Sequence, residues 1–272
     1  MHRMKKIPFI GTLLLLIVFA ATALAAPPDI TADAAVVIDA DSGATLYEKN
    51  ADKREYPASM TKVMTCVLAL ENGRLDRIVE ASAEAADVES TRLRAGDELR
   101  LGDMLKQMML ISDNGCATAV GESLAGGDIG YFAQKMNEKA ATLGMTGTHF
   151  VNANGMPDSN HYSTAHDIAL LMRYAIGVPG FRAIVGTPEA RIYYIRPAGR
   201  SEYCATTDEL LTSYPGLIGG KTGWTNAARG CFTAAATQGG HTLIVTVMHS
   251  NDDESRFREA RELLDYGFAQ EK

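Results

Sequence analysis

Positive charge is scarce in this sequence beyond its first six residues. The 272 residues include 26 Lys and Arg against 33 Asp and Glu, so the formal net charge is −7. No long basic run follows residue 6. A nucleic-acid-binding protein needs a basic surface to neutralise phosphates. Nucleic-acid binding therefore has no electrostatic support in this chain.

Cysteine is also scarce, and its spacing matches no CxxC signature for metal binding or redox chemistry. The four residues are Cys66, Cys116, Cys204 and Cys231. Cys66 and Cys116 fall in apolar helical patterns, which favours buried free thiols. Cys204 and Cys231 could form a disulfide if their strands are neighbours, and the sequence leaves that question open.

Repeats, low-complexity tracts and linkers rich in proline or serine are absent as well. Apolar residues make up 46% of the chain and charged residues 22%, which is typical of a globular protein with a packed core. The length permits one large domain or two small ones. After residue 25, no segment is apolar enough over sufficient length to span a membrane.

The one long apolar stretch lies at the N-terminus. His2, Arg3, Lys5 and Lys6 form a basic region, residues 7–21 are an apolar stretch, and Ala23-Leu24-Ala25 supplies the small residues that signal peptidase accepts. This pattern predicts a cleaved signal peptide over residues 1–25, with an uncleaved anchor as the alternative. In either case we expect residues 26–272 to fold outside the cytoplasm, in the periplasm or at the cell wall.

Periodicity predicts strands at both ends of the chain and helices between them. Turn residues predict tight turns at Ala40-Asp41-Ser42-Gly43 and at Gly239-Gly240. Strands are predicted at 34–39, 43–49, 191–196, 217–222, 230–237 and 242–249. Helices are predicted from Ser59 to Asn72-Gly73, at 101–110, after Asn114, and at 130–143, 166–176 and 253–268. This order indicates an α+β fold, in which N- and C-terminal strands form one antiparallel sheet with a helical insertion. The last helix has mixed charges, so we expect it to pack on the core; a membrane-surface position is the alternative.

Ser59-Met60-Thr61-Lys62 is the first motif that carries chemistry. Residues three apart share a helix face, so the lysine amine can reach the serine hydroxyl. A serine becomes a good nucleophile when a base removes its proton, and a lysine with a lowered pKa can be that base. A helix start with a solvated lysine would explain the motif equally well if it stood alone.

Two further motifs favour the catalytic interpretation of Ser59 and Lys62 over the structural one. Ser112-Asp113-Asn114 lies between two predicted helices, where its polar groups could relay a proton and hold a substrate amide or simply cap a helix. Lys221-Thr222-Gly223 ends a predicted strand, where it could bind a carboxylate or simply form a turn. The three motifs together, in this order, are the signature of class A β-lactamases and penicillin-binding proteins.

The resemblance extends beyond these motifs. Tyr56-Pro57-Ala58 before Ser59, Leu143-Gly144-Met145, His149-Phe150-Val151-Asn152 with Gly155, and Ser163-Thr164-Ala165 with Asp167 resemble the penicillin-sensitive D-alanyl-D-alanine carboxypeptidases of the S11 peptidase family. The likeness covers residues 30 to 250. It implies a β-lactamase/DD-peptidase-like fold and a single catalytic domain over 26–272, without the C-terminal β-domain and membrane-anchoring helix of many relatives.

The resemblance also implies a role for each motif residue. Ser59 would be acylated by the penultimate D-Ala of a peptidoglycan stem peptide, Lys62 would be the general base and Ser112 would pass protons. Substrate would be bound by Asn114, Lys221, Thr222 and Gly223. Backbone N–H groups of Ser59 and Trp224 would form the oxyanion hole. Such an enzyme uses no metal or cofactor, and β-lactam antibiotics would be its covalent inhibitors.

Two alternatives and two departures accompany this interpretation. A class A β-lactamase would carry a Glu-x-x-Leu-Asn segment for deacylation, and none occurs between Ser112 and Lys221. An inactive relative that only binds muropeptides would not need all these motif residues. Trp224 is bulkier than the residue in many relatives. Residues 206–209 lack an arginine that some relatives use near the substrate carboxylate.

Overall fold

A computed structural model describes residues 26–71 and 74–271. The signal peptide predicted over residues 1–25 lies outside the described residues. So does the predicted end of the first helix at Asn72-Gly73.

A central antiparallel sheet joins the two ends of the chain, as predicted. Its strand order is β2-β1-β9-β8-β7. The strands are β1 (Ala34–Asp39), β2 (Thr45–Lys49), β7 (Leu217–Thr225), β8 (Arg229–Gln238) and β9 (His241–Ser250). Every residue of β1 is buried, because it lies between two strands and is covered on both faces. Its register with β9 runs from Ala34 opposite Met248 to Asp39 opposite Leu243.

Tight turns at the predicted positions set the register of both hairpins. Between β1 and β2, the Asp39 carboxylate accepts hydrogen bonds from the Ser42 backbone N–H at 2.7 Å and from its hydroxyl at 2.6 Å. Between β8 and β9, Gly239 and Gly240 have φ values of +59° and +90°, which suits a two-residue hairpin loop.

Helices fill the middle of the chain, and one more follows the last strand. They are α1 (Lys62–Glu71), α2 (Ala83–Asp87), α3 (Leu101–Leu110), α4 (Asn114–Leu124), α5 (Ile129–Thr142), α6 (Ala165–Ala175), α7 (Phe181–Val185) and α8 (Asp253–Gln270). A 3-10 turn over Ala58–Thr61 precedes α1. The predicted bounds of α3 match the structure, and those of α5 and α6 differ by one residue.

Two short ribbons differ from the prediction. Strands β3 (Ile78–Glu80) and β4 (Glu98–Arg100) form one pair, and β5 (Glu189–Tyr193) and β6 (Ser201–Ala205) form another. The strand predicted at 191–196 therefore belongs to a separate ribbon instead of the central sheet. It ends early because Ile195 donates its backbone N–H to the Glu98 carbonyl, which turns the chain toward β4.

The sheet separates two hydrophobic cores. On one face α8 packs its apolar side, including Phe257, Leu263 and Leu264, against Phe232 and Val245. The core-packing prediction for the last helix is thus confirmed. On the other face α6 contacts β1, β8 and β9, α7 contacts β7, and the helices behind them, including α1, share one hydrophobic core with the sheet. Within the described ranges, no helix has the length and apolar character needed to cross a membrane.

All four cysteines are buried free thiols. Burial of Cys66 and Cys116 agrees with the prediction. Cys204 lies in the β5–β6 ribbon and Cys231 in the central sheet, so their strands are not neighbours. The disulfide that the sequence left open between them is therefore not formed.

Candidate active site

Ser59 lies in a constrained turn at the start of the α1 segment. Ala58 before it has a φ of +46°, a left-handed conformation that costs a non-glycine residue about 1 kcal/mol. Gly155 presses against this turn: a Cβ atom there would lie 1.9 Å from the Ala58 carbonyl oxygen. Because no side chain fits in that contact, Gly155 lets the 147–163 loop pack directly behind Ser59.

The Lys62 amine lies beside the Ser59 hydroxyl, in a fully buried position. Its Nζ atom is 2.7 Å from Ser59 Oγ, 2.7 Å from Asn114 Oδ1 and 2.6 Å from the Asn154 carbonyl oxygen. The turn supplies Ser59 and Lys62, α4 supplies Asn114, and the 147–163 loop supplies Asn154. The structure therefore brings three of the predicted site residues into one hydrogen-bonded group.

Burial lowers the pKa of Lys62 well below its usual value, and the positive charge of Lys221 lowers it further. A neutral amine has two N–H groups and one lone pair. Asn114 Oδ1 and the Asn154 carbonyl oxygen can only accept hydrogen bonds, so they take the two N–H groups. The lone pair then faces Ser59 Oγ, which is the orientation needed to accept the serine proton.

Asn114 has its side-chain amide orientation set by a second contact. Its Nδ2 donates to the Glu89 carbonyl oxygen at 2.8 Å and lies 3.5 Å from Met156 Sδ. Thioether sulfur is a weak acceptor, so one amide N–H of Asn114 has no strong hydrogen-bond acceptor among the described residues. Asn114 thus holds Lys62 and retains a donor for another partner.

Asp113 combines the capping role with a wider structural one. One carboxylate oxygen accepts from Cys116 N–H at 2.9 Å and from the Thr91 hydroxyl at 2.8 Å, and the other accepts from Arg92 N–H and Gln107. The first contact caps α4. This network holds α3, α4 and the 89–92 segment together behind Asn114.

Ser112 has a left-handed backbone with a φ of +61°. Within the described part of the chain, its hydroxyl has no hydrogen-bonding partner, and nothing links it directly to Ser59 or Lys62. Catalytic hydrogen bonds often form only when substrate is present. The predicted proton-relay role of Ser112 therefore stays a prediction.

Lys221, Thr222 and Gly223 lie on β7, and no described strand pairs with the outer edge of β7. Lys221 is buried, and its Nζ lies 3.0 Å from the Thr222 carbonyl oxygen. Burial and the nearby Arg256 charge lower the pKa of Lys221 to about 7. The Thr222 hydroxyl is 2.6 Å from that of Thr207.

Gly223 brings β7 against the serine turn. A Cβ atom at Gly223 would lie 3.2 Å from the Ser59 backbone nitrogen and 3.0 Å from Ala58 Cβ. The next residue, Trp224, pairs across the sheet with Gly230 and exposes 41% of its surface. The two backbone groups predicted to form the oxyanion hole therefore lie on segments in direct contact.

Sequence reasoning missed Arg256 and Asp208. Arg256 lies at the start of α8, donates from Nη1 to the Gly223 carbonyl oxygen at 3.0 Å and pairs with Asp253 at 2.7 Å. An arginine therefore adjoins β7 although residues 206–209 contain none. Asp208 is buried, burial raises its pKa to about 6, and its Oδ2 has no partner among the described residues. No sequence motif marks either residue, because only the packing of α8 and the 206–209 segment against β7 brings them there.

The chain matches a known protein family over most of its length. Residues 21–252 match the family described as Peptidase_S11, D-alanyl-D-alanine carboxypeptidase. The chain belongs to the S11 peptidase family. The resemblance inferred from the motifs is thereby confirmed.

Relatives of this S11 peptidase resemble it in sequence and in structure. It is 36% identical to D-alanyl-D-alanine carboxypeptidase DacB2 of Mycobacterium tuberculosis, over 89% of this chain and 84% of that one. It is 34% identical to DacF of Bacillus subtilis, over 88% of this chain, but it spans only 62% of DacF. The crystal structure of the Streptomyces K15 DD-transpeptidase superimposes with a TM-score of 0.86 at 31% identity, covering 90% of this chain and 100% of that one. These likenesses confirm the α+β, β-lactamase-like fold.

Proposed function

We propose that this S11 peptidase is a serine D-alanyl-D-alanine carboxypeptidase that removes the terminal D-Ala from peptidoglycan stem pentapeptides. The observation that carries the proposal is the 2.7 Å contact between Lys62 Nζ and Ser59 Oγ. The Asn114 Oδ1 atom and the Asn154 carbonyl oxygen accept the two N–H groups of the same amine. A buried amine oriented in this way is a general base for a serine nucleophile.

In the acylation step, Lys62 takes the Ser59 proton as Oγ attacks the carbonyl carbon of the penultimate D-Ala. Backbone N–H groups of Ser59 and Trp224 stabilise the negative oxygen of the tetrahedral intermediate. The C–N bond then breaks, and the departing amine of the terminal D-Ala takes a proton by way of Ser112. The product is a peptidyl ester on Ser59 and free D-Ala.

Substrate selection rests on the edge of β7. An extended peptide can pair with this edge as an added strand, because Gly223 has no side chain and so leaves room for the peptide backbone. The terminal carboxylate is held by Lys221 and Thr222, with Arg256 adding positive charge next to Gly223. The unused Asn114 N–H binds the carbonyl of the preceding peptide unit in place of Met156.

Water then hydrolyses the ester and regenerates the enzyme. The S11 peptidase lacks the Glu-x-x-Leu-Asn segment with which a class A β-lactamase activates that water. A penicillin that acylates Ser59 therefore stays bound, and the enzyme is inhibited instead of destroying the antibiotic. Residues 1–25 act as a signal peptide, and residues 26–272 act as the exported catalytic domain at the cell wall.

The test is to supply purified protein with a defined stem pentapeptide and to measure D-Ala by mass spectrometry. We expect one D-Ala per pentapeptide and a long-lived adduct with penicillin. Rapid turnover of nitrocefin without such an adduct would instead support a β-lactamase. Binding of the pentapeptide with neither D-Ala release nor a penicillin adduct would support an inactive muropeptide-binding relative.

Carboxylate binding by Lys221 predicts a specific pH dependence. Lys221 has a pKa of about 7, lowered by burial and by Arg256, so it is charged below pH 7 and neutral above it. We expect KM for the pentapeptide to rise by up to about tenfold per pH unit above that value, as the carboxylate loses its ionic partner. The matched control is a pentapeptide with a C-terminal amide, for which this rise should vanish. Equal pH profiles for the two substrates would refute the assignment.

A further inference from the structure

His161 connects the serine turn to the loop behind it. The imidazole is 1% exposed. Its Nε2 lies 2.8 Å from the Thr61 hydroxyl, and its Nδ1 accepts the backbone N–H of Val151 at 3.1 Å. Phe150 packs its ring edge-to-face against the imidazole, with centroids 5.6 Å apart.

These contacts determine the tautomer. Because the Val151 N–H can only donate, Nδ1 must carry a lone pair. The proton therefore lies on Nε2, which donates it to Thr61 Oγ1. A doubly protonated ring would direct an N–H at the Val151 N–H, so the bridge requires neutral imidazole.

Thr61 lies between Ser59 and Lys62 in the same motif. The loop that contains His161 also contains Asn154, whose carbonyl oxygen accepts a hydrogen bond from Lys62. Three side-chain hydrogen bonds join the loop to the serine turn and α1: the Thr61–His161 bond, the Thr65 hydroxyl on the Ala153 carbonyl at 2.7 Å, and Lys62 on the Asn154 carbonyl at 2.6 Å. Of these three hydrogen bonds, only the first involves an imidazole, whose proton can lie on either ring nitrogen.

We propose that His161 is a positioning residue for the base: its neutral ring clamps the 147–163 loop to Thr61, which keeps the Asn154 carbonyl oxygen on Lys62 and water away from the amine. The inference rests on the proposed function, since it assigns His161 a part in setting up Lys62. In the described part of the chain, no hydrogen bond joins His161 to Ser59 or Lys62, so its effect passes through Thr61 and the loop.

The surroundings keep the ring neutral at the pH of catalysis. Burial lowers the pKa of His161 to about 4; the carboxylate of Asp158 opposes the shift, while His149 and Lys62 add to it. The clamp therefore persists from about pH 5 upwards and opens only under more acidic conditions.

Four variants test the clamp. His161→Phe keeps the ring volume and loses both hydrogen bonds, and Thr61→Val loses the acceptor alone. His161→Gln can accept from Val151 and donate to Thr61, and Thr61→Ser keeps the hydroxyl. The readouts are the second-order rate of Ser59 acylation by a fluorescent penicillin as a function of pH, and the melting temperature. His166→Gln, on the exposed side of α6, is the control.

We expect His161→Phe and Thr61→Val to slow acylation by about tenfold to a hundredfold at neutral pH, as a base displaced by a fraction of an ångström would. The rise of acylation with pH should move to higher pH, because water that reaches Lys62 raises its pKa. His161→Gln and Thr61→Ser should recover most of the rate. The control should match wild type.

The proposal is overturned if folded Thr61→Val acylates with the rate and pH profile of wild type. It is equally overturned if the Gln and Ser variants are as impaired as Phe and Val, since a hydrogen-bonding role predicts rescue. Should His161→Phe fail to fold, Thr61→Val decides alone. Imidazole ¹⁵N shifts in wild type separate this idea from the proposed function: a proton on Nδ1 sinks the clamp even if D-Ala release is observed.

Discussion

Ser59→Ala is expected to abolish covalent labelling by fluorescent penicillin. The label is an ester on Ser59 Oγ, and alanine offers no atom to form it. D-Ala release from the pentapeptide should fall by about 10⁴-fold or more, in the range seen when a serine nucleophile is removed. Gel fluorescence and mass spectrometry of the intact protein measure the first effect, and D-Ala analysis the second.

The fold should tolerate this change, because among the described residues the Ser59 hydroxyl forms a hydrogen bond with Lys62 alone. An unchanged melting temperature would show that lost labelling reflects chemistry. Ser159→Ala, on the exposed part of the same loop as Asn154, serves as the matched control and should label normally. Label that survives in Ser59→Ala would mean that another residue is the nucleophile.

Lys62→Met is expected to slow acylation by about 10²- to 10⁴-fold, the usual contribution of a general base. Methionine fills the buried space but has no lone pair to accept the serine proton. Lys62→Arg should be impaired as well, since guanidinium stays protonated at any pH at which the enzyme folds. Stopped-flow measurement of penicillin acylation between pH 5 and 9 tests both variants.

The pH profile carries the sharper information. Wild-type acylation should rise with pH as Lys62 becomes neutral, with a midpoint well below the usual lysine pKa, because burial and Lys221 favour the neutral amine. Both variants should lose that rise. Lys135→Met, which removes a partly exposed lysine on α5, is the control. Lys62→Met protein that acylates at the wild-type rate would show that another group is the base.

Local sequence signals predicted the elements whose patterns are long and regular. Six buried residues of β1, the ten residues of α3 and the Gly239-Gly240 turn each carry enough local information to identify them. Helices α2 and α7 and strands β3, β4 and β6 are three to five residues long. Segments so short are stabilised by what they pack against, and no periodicity within them reports that packing.

The residues of the candidate site likewise fall into those that local motifs predicted and those that they did not. Ser59, Lys62 and Asn114 were identified because short motifs place chemistry-bearing residues at fixed offsets. Arg256 was not, because it reaches Gly223 from a helix 33 residues further along the chain. His161 likewise acts on a threonine that lies 100 residues away.

The sequence by itself determined the family, the α+β order of elements and the presence of a serine with a lysine one helical turn away. Only the tertiary structure decided whether that lysine can be a base. Its lowered pKa comes from complete burial and from the charge of Lys221 on a distant strand, and its orientation comes from Asn114 and Asn154. Desolvation and long-range charge depend on the three-dimensional arrangement of the chain, so no local pattern of residues could have predicted them.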